Sequence, residues 1–181
     1  MSLDGYIEGP HHELDWSTAD DELHDFFTNL LRSSDLIFYG RVTYQLMQDY
    51  WPTASQNPTL TAAELRFADA INSIDKIVYS STLKNVSWNT QLFSVFNPGE
   101  VRQMKAKPGR DILLGGGATI AQAFMQQGLI DEYQLVVHPA AIGAGKALFG
   151  GLDQRLKLNY LWNKPFSSGA VALCYQPGGN L

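Results

Sequence analysis

Apolar positions recur along this chain with two different periods. Leu23, Phe26, Phe27, Leu30 and Leu31 fall at i, i+3, i+4, i+7 and i+8, the spacing of one face of an amphipathic helix. Ser17 or Thr18 stands before it as the expected N-cap, and acids crowd the first turn, where carboxylates complement the helix dipole. The run Leu36-Ile37-Phe38-Tyr39 then reads as a buried strand, followed by a helix over residues 41–49. Trp51-Pro52 opens a polar loop, and residues 61–71 read as another helix. Lys76-Ile77-Val78-Tyr79-Ser80 and Leu92-Phe93-Ser94-Val95-Phe96 are strand-like, and residues 98–105 form a short helix with proline at its start. Residues 120–127 are helical and stop at Gly128, and residues 133–137 are an apolar strand. Two alternating runs, residues 156–162 and 170–175, are expected to pair as an antiparallel hairpin. Strands alternating with helices and closed by a β pair predict an α/β fold with a mostly parallel central sheet, flanking helices and antiparallel C-terminal edge strands.

Two of the strand-to-helix junctions break at glycine. One reads Phe38-Tyr39-Gly40-Arg41-Val42-Thr43-Tyr44, the other Leu113-Leu114-Gly115-Gly116-Gly117-Ala118-Thr119. A helix start presents unpaired N–H groups and a positive dipole end, so it attracts anions, and glycine permits close backbone approach. Either junction alone is an ordinary tight turn. The pair, with Arg41 and Thr43 in the first, points to a pyrophosphate-bearing cofactor held from two sides. The site is of neither common design. A G-x-G-x-x-G fingerprint starting at Gly115 requires glycine at position 120, which is Ile120. Gly145-Lys146 is followed by Ala147 and lacks the upstream glycine of a P-loop.

Composition narrows the classes further. A chain of 181 residues with 45% hydrophobic and 17% charged residues reads as a single domain over 1–181, globular rather than disordered. A net charge of −5 with no lysine/arginine stripe argues against nucleic acid as a partner. No apolar run approaches a membrane span, and Asp4 and Glu8 interrupt any signal-peptide core, so no membrane partner is expected and the cytoplasm is the default compartment. Cys174 is the single cysteine, which excludes an internal disulfide; it lies in an apolar run and reads as a packing residue. His11-His12 lack further ligands at workable spacing, so no metal site is expected.

The ordered set of motifs resembles a known family. Ser2-Leu3-Asp4-Gly5-Tyr6-Ile7, Gly40-Arg41-Val42-Thr43-Tyr44, Val78-Tyr79-Ser80-Ser81-Thr82-Leu83, Gly115-Gly116-Gly117-Ala118-Thr119, Gly128-Leu129-Ile130-Asp131-Glu132-Tyr133 and His138-Pro139 occur in the order of the dihydrofolate reductase-like fold. The chain is most similar to the reductase (C-terminal) domain of the bifunctional riboflavin-biosynthesis deaminase/reductase and its stand-alone bacterial relatives. The resemblance spans essentially the whole chain. It implies a three-layer fold and an NADPH-dependent reductase acting on a small heterocycle or ribosylamino-pyrimidine, 5-amino-6-(5-phosphoribosylamino)uracil being the best-named candidate. It assigns Gly40, Arg41 and Thr43 to the cofactor's phosphates, and Ser80 and Ser81 to the adenosine ribose and its 2′-phosphate. It places a strained Gly115-Gly116 peptide at the pyrophosphate and nicotinamide, with Gly117, Ala118 and Thr119 opening the phosphate-facing helix. An arginine and hydroxyls suit a phosphate monoester, which favours NADPH over NADH. The expected partners are a small-molecule substrate and a second copy in a homodimer.

The chemistry end is less marked. Trp16 is followed five positions later by Asp21, the offset of the carboxylate that protonates or orients the pterin in dihydrofolate reductases, so Asp21 is the catalytic candidate. Trp16 and Tyr44 are the candidate substrate contacts, although Tyr44 equally suits a core position. The family also carries an apolar strand before Ser-Leu-Asp-Gly, whereas Met1 directly precedes Ser2 here; lower stability and cofactor affinity are expected of the chain as written. Two other readings stay open: a cofactor-binding module without turnover, and a dihydrofolate reductase proper.

Overall fold

In a computed structural model, which describes residues 1–179, the backbone gathers into two compact units. One comprises Asp21–Ile120 and the other Met1–Asp20 with the segment from Ala121 onward.

The first unit is a parallel sheet with its helices. Its strands are β2 (Ser34–Gly40), β3 (Asp75–Tyr79), β4 (Thr90–Phe93) and β5 (Asp111–Leu114), in the order β4-β3-β2-β5. The register pairs Gly40 with Tyr79 and Phe38 with Leu114, all strands running the same way. Ile37, Phe38 and Tyr39 are buried in succession, as are Lys76, Ile77, Val78 and Tyr79, because strands central to a parallel sheet are covered on both faces. Helices α1 (Asp21–Arg32), α2 (Arg41–Tyr50) and α3 (Ala62–Ser73) cover the face that carries Ile37, Tyr39 and Val78. Leu31, Tyr44, Phe67 and Ile71 join Ile37, Tyr39 and Val78 in one apolar cluster. The expected N-cap of α1 is corrected: the helix begins at Asp21, while the Ser17 hydroxyl turns back to the Leu14 carbonyl. For α3 the cap is Thr61, which with Glu64 forms a capping box. The polar loop expected after Trp51 begins as a 3-10 helix, Trp51–Gln56, with Pro52 in its first turn and the Trp51 ring 4.5 Å from that of Phe67. Helix α4 (Pro98–Lys105) starts at proline as expected, with Asn97 as its cap.

The second unit is antiparallel. Strands β6 (Tyr133–Val137), β8 (Leu158–Pro165) and β9 (Val171–Pro177) form a sheet in the order β6-β9-β8, so the expected terminal hairpin gains a third strand. A short pair, β1 (Tyr6–Glu8) with β7 (Lys146–Ala147), was not legible in the hydrophobic pattern. The Asp4 carboxylate fixes the entry to β1: it accepts from the Ser2 hydroxyl at 2.7 Å and from the Gly143 amide at 2.8 Å, bonds that hold it below the usual carboxylate range. Met1 and Leu3 run beside the end of β6, Met1 accepting from the His138 amide and Leu3 donating to Ala140. Cys174 is fully buried. Helix α5 (Ala118–Gln126) begins in the first unit and continues in the second.

Candidate functional site

The two glycine junctions leave adjacent parallel strands at the same end of the sheet. The β2–β5 ladder runs on past Leu114, the Gly115 amide donating to the Phe38 carbonyl at 2.8 Å. One residue further the Gly40 amide donates to the Gly116 carbonyl at 3.3 Å, tying the two junctions together. Gly40 is the N-cap residue of α2 and offers no side chain to its first turn. The amides at the start of α2 are therefore left to whatever lies beyond the helix end.

The unusual backbone of the glycine run lies at Gly116, φ +139°, and Gly117, φ +94°, rather than at Gly115. Side chains constrain the run as well. A Cβ on Gly115 would come within 2.6 Å of Tyr39 Cε1, and one on Gly116 within 3.1 Å of Thr43 Cγ2. Glycine alone lets the chain pass under Thr43 with its amides near the surface. Arg41 is exposed, its Nη1 donating to Gln45 Oε1 at 2.8 Å, and Thr119 is exposed on the first turn of α5. Since β3 neighbours β2, Ser80 and Ser81 reach the same end. Ser80 Oγ accepts from the amides of Thr82 and Leu83 at 3.2 and 3.1 Å, which turns the chain there and leaves Ser81 exposed. Arg41, Thr43, Ser81, Thr119 and the glycine amides together offer donors, one positive charge and no carboxylate. That donor set fits a pyrophosphate bearing a further phosphate.

The other candidates lie elsewhere. Tyr44 is 1% exposed, and its hydroxyl donates to the Ser87 carbonyl at 2.9 Å and accepts from the Ser87 amide at 3.1 Å, so the structure gives it a core position. Asp21 opens α1 with an exposed carboxylate that accepts from the Thr61 hydroxyl at 2.7 Å. Its neighbour Asp25 receives a two-pronged pair from Arg66 at 2.7–2.9 Å. Trp16 belongs to the second unit; its indole donates to the Glu13 carbonyl, and its ring stands edge-on to His138 at 5.9 Å. Burial holds the His138 imidazole below its ordinary value.

One feature escaped the sequence pattern. Lys76, at the start of an apolar strand, is 1% exposed, and burial pushes its amine down to about 8 while Asp75 pulls the other way. The available signal was a lysine directly joined to Ile77-Val78-Tyr79, which by itself does not tell a snorkelling side chain from a buried one.

A parallel sheet with glycine-lined helix starts at its C-terminal end, followed in the chain by an antiparallel sheet, is the architecture of a dihydrofolate reductase-like fold. The chain belongs to the RibD C-terminal domain family, matching it over residues 1–171. It is 36% identical over 180 residues to the uncharacterized protein YyaP of Bacillus subtilis (strain 168), covering 99% of this chain and 92% of that protein. Among solved structures, a putative riboflavin biosynthesis protein from Shewanella sp. PV-4 superposes with a TM-score of 0.73 at 24% identity, over 98% of this chain and 95% of that one. A dihydrofolate reductase from Enterococcus faecalis, complexed with NADP(H), shares the fold with a TM-score of 0.62 at 12% identity, over 97% and 91% of the two chains. The family match gives the chain's membership, and these neighbours its fold.

Proposed function

We propose that this chain is an NADPH-dependent reductase that transfers hydride to a small heterocyclic or ribosylamino-pyrimidine substrate, such as 5-amino-6-(5-phosphoribosylamino)uracil. The observation that carries this reading is the Gly40–Gly116 bond, which brings the starts of α2 and α5 side by side with Thr43 against the glycine run. NADPH bound there supplies the hydride. The chain's own part is to hold the pyrophosphate with the glycine amides, Thr43 and Thr119, to receive the 2′-phosphate at Arg41, Ser80 and Ser81, and to orient the substrate. Gly115, Gly116, Gly117 and Ala118 form the phosphate-facing run in this reading. Asp21 is the proposed proton source or relay. On this reading the chain works as one domain and as a homodimer in the cytoplasm, without nucleic acid.

Oxidation of NADPH, followed against a panel containing dihydrofolate and the ribosylaminouracil, tests the proposal. Turnover is expected with the ribosylaminouracil, and Asp21→Asn should slow it about 10²–10⁴-fold while NADPH binding stays intact. The bond between Asp21 and Thr61 favours a second reading, a cofactor-binding module, since a carboxylate that docks α1 onto α3 need not handle protons. NADPH binding with no oxidation across the panel selects that reading.

A further inference from the structure

Strands β3 and β4 are parallel neighbours joined without a helix. Residues 80–89 leave the C-terminal end of β3 at Ser80 and return to the N-terminal end of β4, where the Lys76 amide donates to the Asn89 carbonyl at 2.9 Å. Nine residue steps span about 30 Å when extended, roughly twice the rise of a five-residue strand. The crossover therefore has slack, and its docking points decide where the slack lies. Its lower end is held by Trp88, whose ring lies over Lys76 Nζ at 4.1 Å and whose indole N–H donates to Asn72 Oδ1 at 2.6 Å. Ser87, next to Trp88, extends that lower anchor, bonded to the Tyr44 hydroxyl and accepting from Gln48 Nε2 at 2.7 Å, and Leu83 and Val86 pack against the core between it and the upper end. Its upper end is the turn capped by Ser80 Oγ.

The buried amine is the odd member of this set. Lys76 Nζ donates to the Ile74 carbonyl at 2.7 Å and otherwise faces the indole. A methionine would fill the same space without a charge to desolvate. What the cation adds is attraction for a ring face, which strengthens away from water. Trp88 needs such a holder, because it and Asn89 sit at φ 63° and 51°, a region that non-glycine residues rarely adopt.

We propose that Lys76 and Trp88 form a clamp that sets the path of the 80–89 crossover and so the placement of Ser80 and Ser81 toward the 2′-phosphate of NADPH. Lys76 is then a positioning residue for cofactor selectivity, acting from the opposite end of the sheet. The inference rests on the reductase reading above. Its test compares Lys76→Met with Lys76→Arg in the full chain, by hydrogen exchange at the amides of Thr82, Leu83 and Ser87 and by equilibrium binding of NADPH and NADH. Lys76→Met should speed exchange at these amides about tenfold and weaken NADPH about tenfold with NADH nearly unchanged; Lys76→Arg, which keeps a cation over the ring, should restore both. Should Lys76→Met fail to fold, Trp88→Phe against Trp88→Leu makes the same comparison, the phenyl face keeping what leucine loses. Faster exchange with an unchanged NADPH/NADH ratio, or equal weakening of both nucleotides, overturns the clamp as a selectivity device. A wild type that binds no NADPH refutes the cofactor reading instead, and the clamp then falls if Lys76→Met and Lys76→Arg exchange alike.

Discussion

At the β2–α2 junction Gly40 sits at φ −81°, ψ 160°, ordinary extended backbone open to any residue. At the β5–α5 junction Gly116 and Gly117 sit at φ +139° and +94°, where L side chains are strained whatever the space around them. The first glycine is set by its neighbours: a Cβ there would meet Ile120 Cγ2 at 3.3 Å. The second is set by its own dihedrals, and by Thr43 besides. The two junctions look alike in sequence and close on each other through one hydrogen bond. The contrast teaches that glycine before a helix start carries two separable messages, close approach and unusual backbone, and that the close approach at Gly40 leaves room for a methyl group that the backbone at Gly116 denies.

Substitutions test how far that contrast reaches into function. Gly116→Ala should have the largest effect. A methyl at this φ costs on the order of 1–3 kcal/mol of stability, visible as a lower denaturant midpoint, and NADPH binding should be lost. A folded Gly116→Ala protein that binds NADPH like wild type would reduce the junction to a turn. Arg41→Ala comes next. Charge-assisted bonds contribute about 1.5–3 kcal/mol, so NADPH should weaken about tenfold or more while NADH changes little; equal losses in titrations of the two nucleotides would remove Arg41 from the 2′-phosphate. Gly40→Ala should be the mildest. Its dihedrals accept alanine and Ile120 need yield only a few tenths of an ångström, so the stability cost should stay under about 1 kcal/mol. A cost at Gly40 as large as at Gly116 would erase the distinction drawn above.

Much of the fold was legible because its signals are local. The stripe of Leu23, Phe26, Phe27, Leu30 and Leu31 marked α1, and the apolar runs through Phe38 and Val78 marked the two central strands. The misses share one cause. Strand β7 has two residues, too few for any period to show, and it exists because Tyr6 and Glu8 pair with it from far along the chain. Trp51-Pro52 was expected to open a polar loop, yet it opens a 3-10 helix whose indole packs against Phe67 of α3. At the candidate site the junction residues were visible as glycines, an arginine and hydroxyls. The commitments of Tyr44 to Ser87 and of Asp21 to Thr61 were not, since both bridge about forty residues or more.

The sequence by itself determined the alternation of strands and helices, the absence of the two common nucleotide fingerprints, and the residue types that an anion needs at each helix start. Those follow from side-chain periodicity and backbone freedom, properties that each residue carries wherever it lies. Only the tertiary structure decided that β2 and β5 are neighbours, so that Gly40 bonds Gly116. It alone decided that Tyr44 faces the core, and that Lys76 lies buried under Trp88. Strand order and burial are set by how the whole apolar surface is covered at once, a non-local sum that no window of sequence contains.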